Sequence, residues 1–288
     1  MAEKHDPYKA KDTGHEWDGI KELKNNPPRW WIICGYLSFA FLAGYFILYP
    51  SIPLVSGYTH GLLGWTQIDE YKEGVEAINA VREPFDKKIG KMTVAEILAD
   101  PEMSRFAQVS SKALFGDNCA ACHGSGGQGA TGFPVLADDD WLYGGTVEAI
   151  HETITGGRQG IMPAYAQLLS RQEIDDLVKF VSTLPSGAIH EAGKAVFLGQ
   201  TPGAADCVAC HGEDAKGIKD VGSANLTDNI WRFSGTEDGI RQTIMNGVNQ
   251  DGPQTRKAVM PVFGGRLTDN QIKKLAVRVY LLGGGQKG

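Results

Sequence analysis

Two copies of Cys-x-x-Cys-His, at Cys119–His123 and Cys207–His211, constrain this 288-residue chain more than any other feature. Two thiols three positions apart can form thioethers to both vinyl groups of one haem, while the adjacent imidazole is placed to ligate its iron. The motifs therefore predict two covalent c-type haems, bound through Cys119 and Cys122 and through Cys207 and Cys210, with His123 and His211 as iron ligands. Other uses of Cys-x-x-Cys fit less well. A zinc ribbon brings four thiolates to one metal and leaves the His after each second Cys without a role. A thioredoxin-like pair needs a βαβ context, and no such strand pattern surrounds either copy. Four of the five cysteines are taken up by the motifs. Cys34 stands alone in an apolar run and reads as a buried small hydrophobe rather than a reactive thiol.

That run extends from Trp30 to Tyr49 without a charged residue. As a helix its twenty residues span about 30 Å, the thickness of a bilayer's hydrocarbon core. Trp30 and Trp31 at one end, with Tyr45 and Tyr49 at the other, read as interfacial aromatic belts. A cleaved signal peptide would have a shorter apolar region nearer the N-terminus and a small-residue cleavage site, whereas Pro50 to Pro53 follow this span. Lys21, Lys24 and Arg29 precede it closely, and the first Lys or Arg after it is Lys72. The positive-inside rule then keeps residues 1–29 in the cytoplasm and exports everything from about residue 51.

The exported portion contains an internal repeat. Offset by 90 residues, Leu136 falls on Leu226, Trp141 on Trp231, Gly145 on Gly235, Ile150 on Ile240 and Gly157 on Gly247. The haem motifs are 88 apart and Met162 and Met260 are 98 apart, so the second copy carries an insertion near Gln250 to Lys257, read as a surface loop. Helical signals dominate each copy. Ser170-x-x-Glu173 and Thr268-x-x-Gln271 are capping boxes that open helices with apolar faces at Ile174, Leu177, Val178 and Val181, and at Ile272, Leu275, Ala276 and Val279. The expected fold is all-α, with one N-terminal transmembrane helix followed by two tandem class I-like cytochrome c domains. The expected boundaries are 1–29 cytoplasmic tail, 30–50 span, 51–104 linker or docking segment, 105–187 first domain and 188–288 second domain.

Met162 and Met260 each precede the closing helix of a copy and are each followed by Pro, with an aromatic two residues further on. A thioether at the sixth position of each iron would raise its reduction potential above that of bis-His ligation. Met245 has Thr155 as its counterpart and reads as packing. Which Met serves which copy stays open at this level. The glycine-rich stretches after the motifs lack the Gly-Lys-Ser/Thr ending of a phosphate loop, and let backbone pass close to a porphyrin edge. Gly132-Phe133-Pro134 resembles the class I cytochrome c loop whose Pro carbonyl accepts a bond from the proximal His. Ala224 stands at the corresponding place in the second copy, which points to a different carbonyl for His211.

Asn25-Asn26-Pro27-Pro28-Arg29-Trp30-Trp31 before the span, Tyr49-Pro50 after it, Gly57-Tyr58, Gly64-Trp65 and the two haem motifs together resemble the dihaem subunit III of bacterial cbb3-type cytochrome c oxidases. The resemblance implies an inner-membrane electron relay with its haem domains in the periplasm. Its partners would be a monohaem cytochrome c subunit, the haem-copper catalytic subunit, and a cytochrome c or bc1 complex as donor. It implies no catalytic residue on this chain, and His60, His151 and His190 are scattered singles that offer no copper site. The net charge is −6. Residues 113–187 hold three basic and nine acidic side chains, a balance that would steer a basic donor or simply solvate the surface. Nothing in the pattern suggests nucleic-acid binding. A dihaem peroxidase would leave one iron open, and a cytochrome subunit of a periplasmic dehydrogenase would carry electrons from a different partner. These are the two alternatives.

Overall fold

A computed structural model describes residues 11–203 and 205–286, which divide into two compact units within one helix, between Val81 and Arg82. The first unit begins with an antiparallel hairpin, β1 (Asp12–Trp17) and β2 (Ile20–Leu23). Its two-residue turn is Asp18-Gly19, both at positive φ (47° and 83°), the geometry that Asp-Gly favours in tight hairpins. Helix α1 (Arg29–Leu48) follows. None of its residues is buried, as an apolar helix made to face lipid requires. Cys34 is exposed on this helix rather than buried, and its carbonyl accepts the Ser38 hydroxyl at 2.9 Å.

The chain then doubles back to close the end of α1. A ribbon of β3 (Pro53–Leu54) and β4 (Gly57–Tyr58) leads into Leu62 and Leu63, whose amides donate to the Ile47 and Leu48 carbonyls at 2.9 and 3.1 Å. These bonds satisfy carbonyls that a helix end otherwise leaves unpaired. Gly61 makes the approach possible: at φ +69°, a side-chain carbon there would come within 2.5 Å of the Leu48 carbonyl oxygen. The Tyr49 ring lies between Tyr45 and Trp65, with centroids 4.8 and 5.6 Å away.

Helix α2 (Gln67–Ile89) runs through Pro84. The second unit continues with α3 (Val94–Ala99), α4 (Pro101–Ser110), α5 (Lys112–Asn118), the single-turn α6 (Ala120–His123), α7 (Val147–Gly156) and β5 (Arg158–Gln159). After these come α8 (Arg171–Thr183), α9 (Glu191–Phe197), the single-turn α10 (Val208–His211), α11 (Glu237–Asn246), β6 (Val259–Met260) and α12 (Asp269–Tyr280). The fold is predominantly helical, but the all-α expectation has to admit three two-stranded ribbons among the described residues.

Two hydrophobic cores organise the second unit, and they do not divide at residue 187. The first gathers Ile89, Val94, Ile97, Met103, Phe115, Ile150 and Ile154 together with Phe263, Ile272, Leu275 and Val279 from the far end of the chain. The second joins Tyr165, Leu169, Ile174, Leu177, Val178 and Val181 to Phe197, Cys207, Ile240 and Ile244. Helix α12 thus closes the core that contains the first haem motif, and α8 closes the core that contains the second. The copies have exchanged their closing helices. Residues 89–104, expected to lie outside both haem folds, supply buried side chains to the first core.

Polar contacts fix each exchanged helix in place. Lys274 of α12 is buried and pairs with Asp86 at 2.8 Å, and the Asn270 amide donates to the Asp86 carbonyl at 2.9 Å. On α8, the Glu173 carboxylate accepts from the Ser170 amide at 2.8 Å, closing the expected capping box, and from the Gly203 amide at 3.0 Å. The Ser170 amide and hydroxyl, with the Gly203 amide behind them, pull the Glu173 carboxyl down to about 2. A carboxyl lowered on folding stabilises above its unfolded value of 4.5, and this contribution disappears as pH falls toward 2. Thermal melts of the parent and Glu173→Gln should therefore differ most at neutral pH, with the variant less stable, and converge as pH approaches 2.

Candidate haem-binding sites

Each Cys-x-x-Cys-His sequence forms one helical turn, so its two thiols, three residues apart, lie on the same side. All four motif cysteines are free of disulfides. Burial pushes the Cys119 and Cys207 thiols up to about 11, which keeps them neutral at physiological pH. The two pairs belong to different cores, and no cluster of three or more His, Cys, Asp or Glu capable of holding a metal ion occurs among the described residues. A shared tetrathiolate zinc site is incompatible with that arrangement.

Glycine ends each turn, Gly124 at φ +77° and Gly212 at φ +75°, and the loop folds back under the histidine. His123 Nδ1 lies 3.0 Å from the Pro134 carbonyl oxygen, and His211 Nδ1 lies 3.0 Å from that of Ala224. A carbonyl only accepts, so each Nδ1 carries the proton and each Nε2 is left with a lone pair for a metal. The second copy uses the carbonyl at the position equivalent to Pro134, contrary to the expectation of another carbonyl. The backbone supplies the acceptor whatever the side chain. Burial, more than any other influence, pushes both imidazoles below their ordinary pKa and favours the neutral ring that ligation needs. Gly129 and Gly217 donate to the His123 and His211 carbonyls at 2.7 and 2.8 Å. At Gly129 a side-chain carbon would meet the Phe133 carbonyl oxygen at 2.9 Å.

The methionine loops cross between the copies as the closing helices do. Met260 is half-buried against the first core and Met162 against the second. Arg158 and Gln159 pair with Met260 and Val259, while Met162 and Val248 exchange both backbone bonds at 3.0 and 3.1 Å. The Phe263 amide donates to the Ile154 carbonyl at 3.2 Å, and its repeat counterpart Tyr165 donates to Ile244 at 3.0 Å. Asn249 ties the two crossings together, its side-chain amide donating to the Gly160 carbonyl at 2.7 Å and the Ala258 carbonyl at 2.9 Å. Met245 also packs against the second core.

Two further histidines of this unit have other neighbours: His190 pairs with Asp176 at 3.0 Å, and His151 lies 3.8 Å from Asp269. In each half two thiols, one neutral imidazole with a free Nε2 and one thioether are available, which is the donor set of a covalently attached haem.

The family model described as cytochrome c oxidase, cbb3-type, subunit III matches residues 107–181 and 195–277, and that of the N-terminal domain of cytochrome oxidase-cbb3, FixP, matches residues 9–56. The chain belongs to the subunit III family of cbb3-type cytochrome c oxidases. Among its relatives, the cbb3-type cytochrome c oxidase subunit FixP of Azorhizobium caulinodans is 43% identical over 95% of this chain and 93% of its own length. The FixP subunit of Bradyrhizobium diazoefficiens is 40% identical over 95% of both, and the CcoP subunit of Cereibacter sphaeroides 38% over 98% of both. As a subunit III the chain binds haem c, is anchored to a membrane and transfers electrons within an oxidase complex, which disfavours the dehydrogenase and peroxidase alternatives.

Which methionine loop packs against which copy was left open by the sequence pattern, although two glycines signal the crossing. Gly157 at φ +66° and Gly247 at φ +68° end α7 and α11, each against the methionine loop of the other copy. A side-chain carbon at Gly157 would stand 2.5 Å from the Met260 carbonyl oxygen. Gly157→Ala should therefore loosen the Met260 loop by about 1–3 kcal/mol of backbone strain. Hydrogen exchange would show this as lost protection at Phe263 and Gly264 with protection retained at Tyr165 and Ala166.

Proposed function

We infer that the chain carries two covalent haems, one bound through Cys119 and Cys122 with His123 and Met260 as axial ligands, the other through Cys207 and Cys210 with His211 and Met162. The reciprocal packing of the methionine loops carries this reading, because Met260 packs against the core that includes Cys119 and Met162 against the core that includes Cys207. When bound, each haem supplies a reversible one-electron iron centre. The protein holds Nε2 toward the iron through the carbonyl bond at Nδ1 and supplies a thioether that favours the reduced state. It also surrounds the site with apolar side chains that limit water. A histidine and a methionine from the protein would hold each iron, a donor set suited to electron transfer. The chain then acts as a relay.

The relay takes electrons from a soluble cytochrome c or a bc1 complex. It passes them to a monohaem cytochrome c subunit and so to the haem-copper subunit that reduces oxygen. The basic residues before α1 keep residues 1–29 in the cytoplasm and place both haem sites in the periplasm of a bacterial inner membrane. The working divisions along the chain are the tail 1–29, the span 30–50, the connector 51–104 and two haem-bearing segments, 105–187 and 188–288, each closed by the other's last helix.

Replacing one thioether by imidazole tests the ligand assignment. Met260→His should lower the potential of a single c-type haem by a shift on the order of 0.2 V, within the ~0.8 V range that axial ligands span. Met162→His should lower the other haem instead. Spectroelectrochemical titration of the oxidase carrying each variant reads both values, and a variant that moves both haems or neither contradicts the assignment.

A further inference from the structure

We propose that Asn249 is a shared positioning residue for the sixth ligands of both irons: one side-chain amide holds the Met162 loop and the Met260 loop together, so that neither thioether is secured independently of the other. The inference rests on the ligand assignment above and adds the residue that couples the two ligand loops.

Asn249 directly follows Val248, whose backbone exchanges two bonds with Met162. Both hydrogens of its side-chain amide are engaged: Nδ2 donates to the Gly160 carbonyl at 2.7 Å and to the Ala258 carbonyl at 2.9 Å. Its Oδ1 accepts the Ala258 amide at 2.9 Å. Gly160 lies two residues before Met162 and Ala258 two residues before Met260, so one group grips corresponding points of the two loops. Toward Ala258 it bonds as a neighbouring strand would, donating and accepting on one residue. Toward Gly160 it reaches into the other copy.

The backbone holds the amide in this position. Asn249 stands at φ +54°, a left-handed conformation that asparagine adopts more readily than most residues. The insertion of its own copy fixes it further. The Asn249 amide donates to the Arg256 carbonyl at 2.8 Å, the Gln250 amide to the Thr255 hydroxyl at 3.0 Å, and the Arg256 amide to the Gly247 carbonyl at 3.2 Å. The segment 250–257, which reads in the sequence as a surface loop, thus closes a ring behind the side chain. An offset of 90 places Gln159 opposite Asn249, and Gln159 is exposed in β5. The second copy therefore supplies a clamp for both loops. A loop that swings out with its methionine has to break its bonds to this amide. When the Met260 loop leaves, the amide loses both bonds to Ala258, and with them the orientation in which Nδ2 faces Gly160. When the Met162 loop leaves, a donor of the half-buried amide goes unpaired. Loss of one ligand weakens the hold on the other.

The test uses the assembled oxidase, with imidazole as a competing ligand for ferric haem: the methionine sulfur–iron bond breaks, an imidazole nitrogen–iron bond forms, and no electron is transferred. Met162→His and Met260→His each leave one thioether-ligated c-type haem, whose methionine-to-iron charge-transfer band reports displacement. Adding Asn249→Gly, which permits the same positive φ and removes the amide, should raise the imidazole affinity roughly fivefold in both backgrounds, the equivalent of one net hydrogen bond at each loop. Asn246→Ala, whose parent amide donates to the Gln242 carbonyl of its own helix at 3.1 Å, should leave both affinities unchanged. Covalent haem content is measured in every variant. Asn249→Asp, which tolerates the same backbone but presents no donor to the two carbonyls when ionised, reports if the Gly variant fails to retain haem. An affinity that rises in one background alone, or in neither, overturns the shared role of Asn249 while the ligand assignment stands. If Met162→His and Met260→His do not each remove one charge-transfer band, the ligand assignment and this inference fall together.

Discussion

Everything in the haem-bearing unit depends on the crossing of two short backbone segments. Arg158–Gln159 pairs with Val259–Met260, Met162 pairs with Val248, and Asn249 bonds carbonyls on both sides. These contacts bring the methionine of each copy into the core of the other and leave α8 and α12 no route to the motif of their own copy. Once the loops cross, the closing helices follow. Their apolar faces then complete cores that would otherwise be open: Leu275 is wholly buried and Leu177 nearly so. Burying such a side chain is worth roughly 1.5–3 kcal/mol, so the packing reinforces what the backbone pairing began.

The crossing needs room, and glycine provides it at matching places. Gly157 and Gly247 end their helices with positive φ, at points where any side chain would strike the incoming loop. The same residues permit the sharp turn and the close approach, which explains their place in the repeat register beside Ile154 and Ile244. The positions that can afford to differ do so. Gly127 at φ +76° becomes Ala215 at φ +59°, and the Pro134 carbonyl becomes that of Ala224, because in both cases the backbone alone does the chemistry.

How much of this could be read from the sequence follows from what each pattern encodes. Capping boxes and apolar periodicity located α8 and α12 because those signals are local. The span was legible because a bilayer demands a continuous apolar run. The exchange was not legible, because Ile174, Leu177, Val178 and Val181 have the same spacing as Ile272, Leu275, Ala276 and Val279. Such a pattern states that a helix has a buried face and cannot say whose core it joins. The Asp18-Gly19 hairpin signal was present and passed over. Residues 89–104 fall in the segment 51–104 expected to be a linker or docking segment, yet Val94, Ile97 and Met103 are among the buried side chains of the first core.

A duplicated domain would ordinarily leave two sites free to move relative to each other on a linker. Exchange removes that freedom, because separating the copies would require pulling α12 from the first core, α8 from the second, and each methionine loop from its partner. For a relay this matters directly. Electron transfer needs the donor and acceptor centres in a fixed relation, and here the elements that enclose one site are covalently continuous with those that enclose the other. The symmetry of the crossing also sets a limit, since matched surroundings give matched centres and no preferred direction. A difference between the sites has to come from residues where the repeat has diverged while the backbone has not.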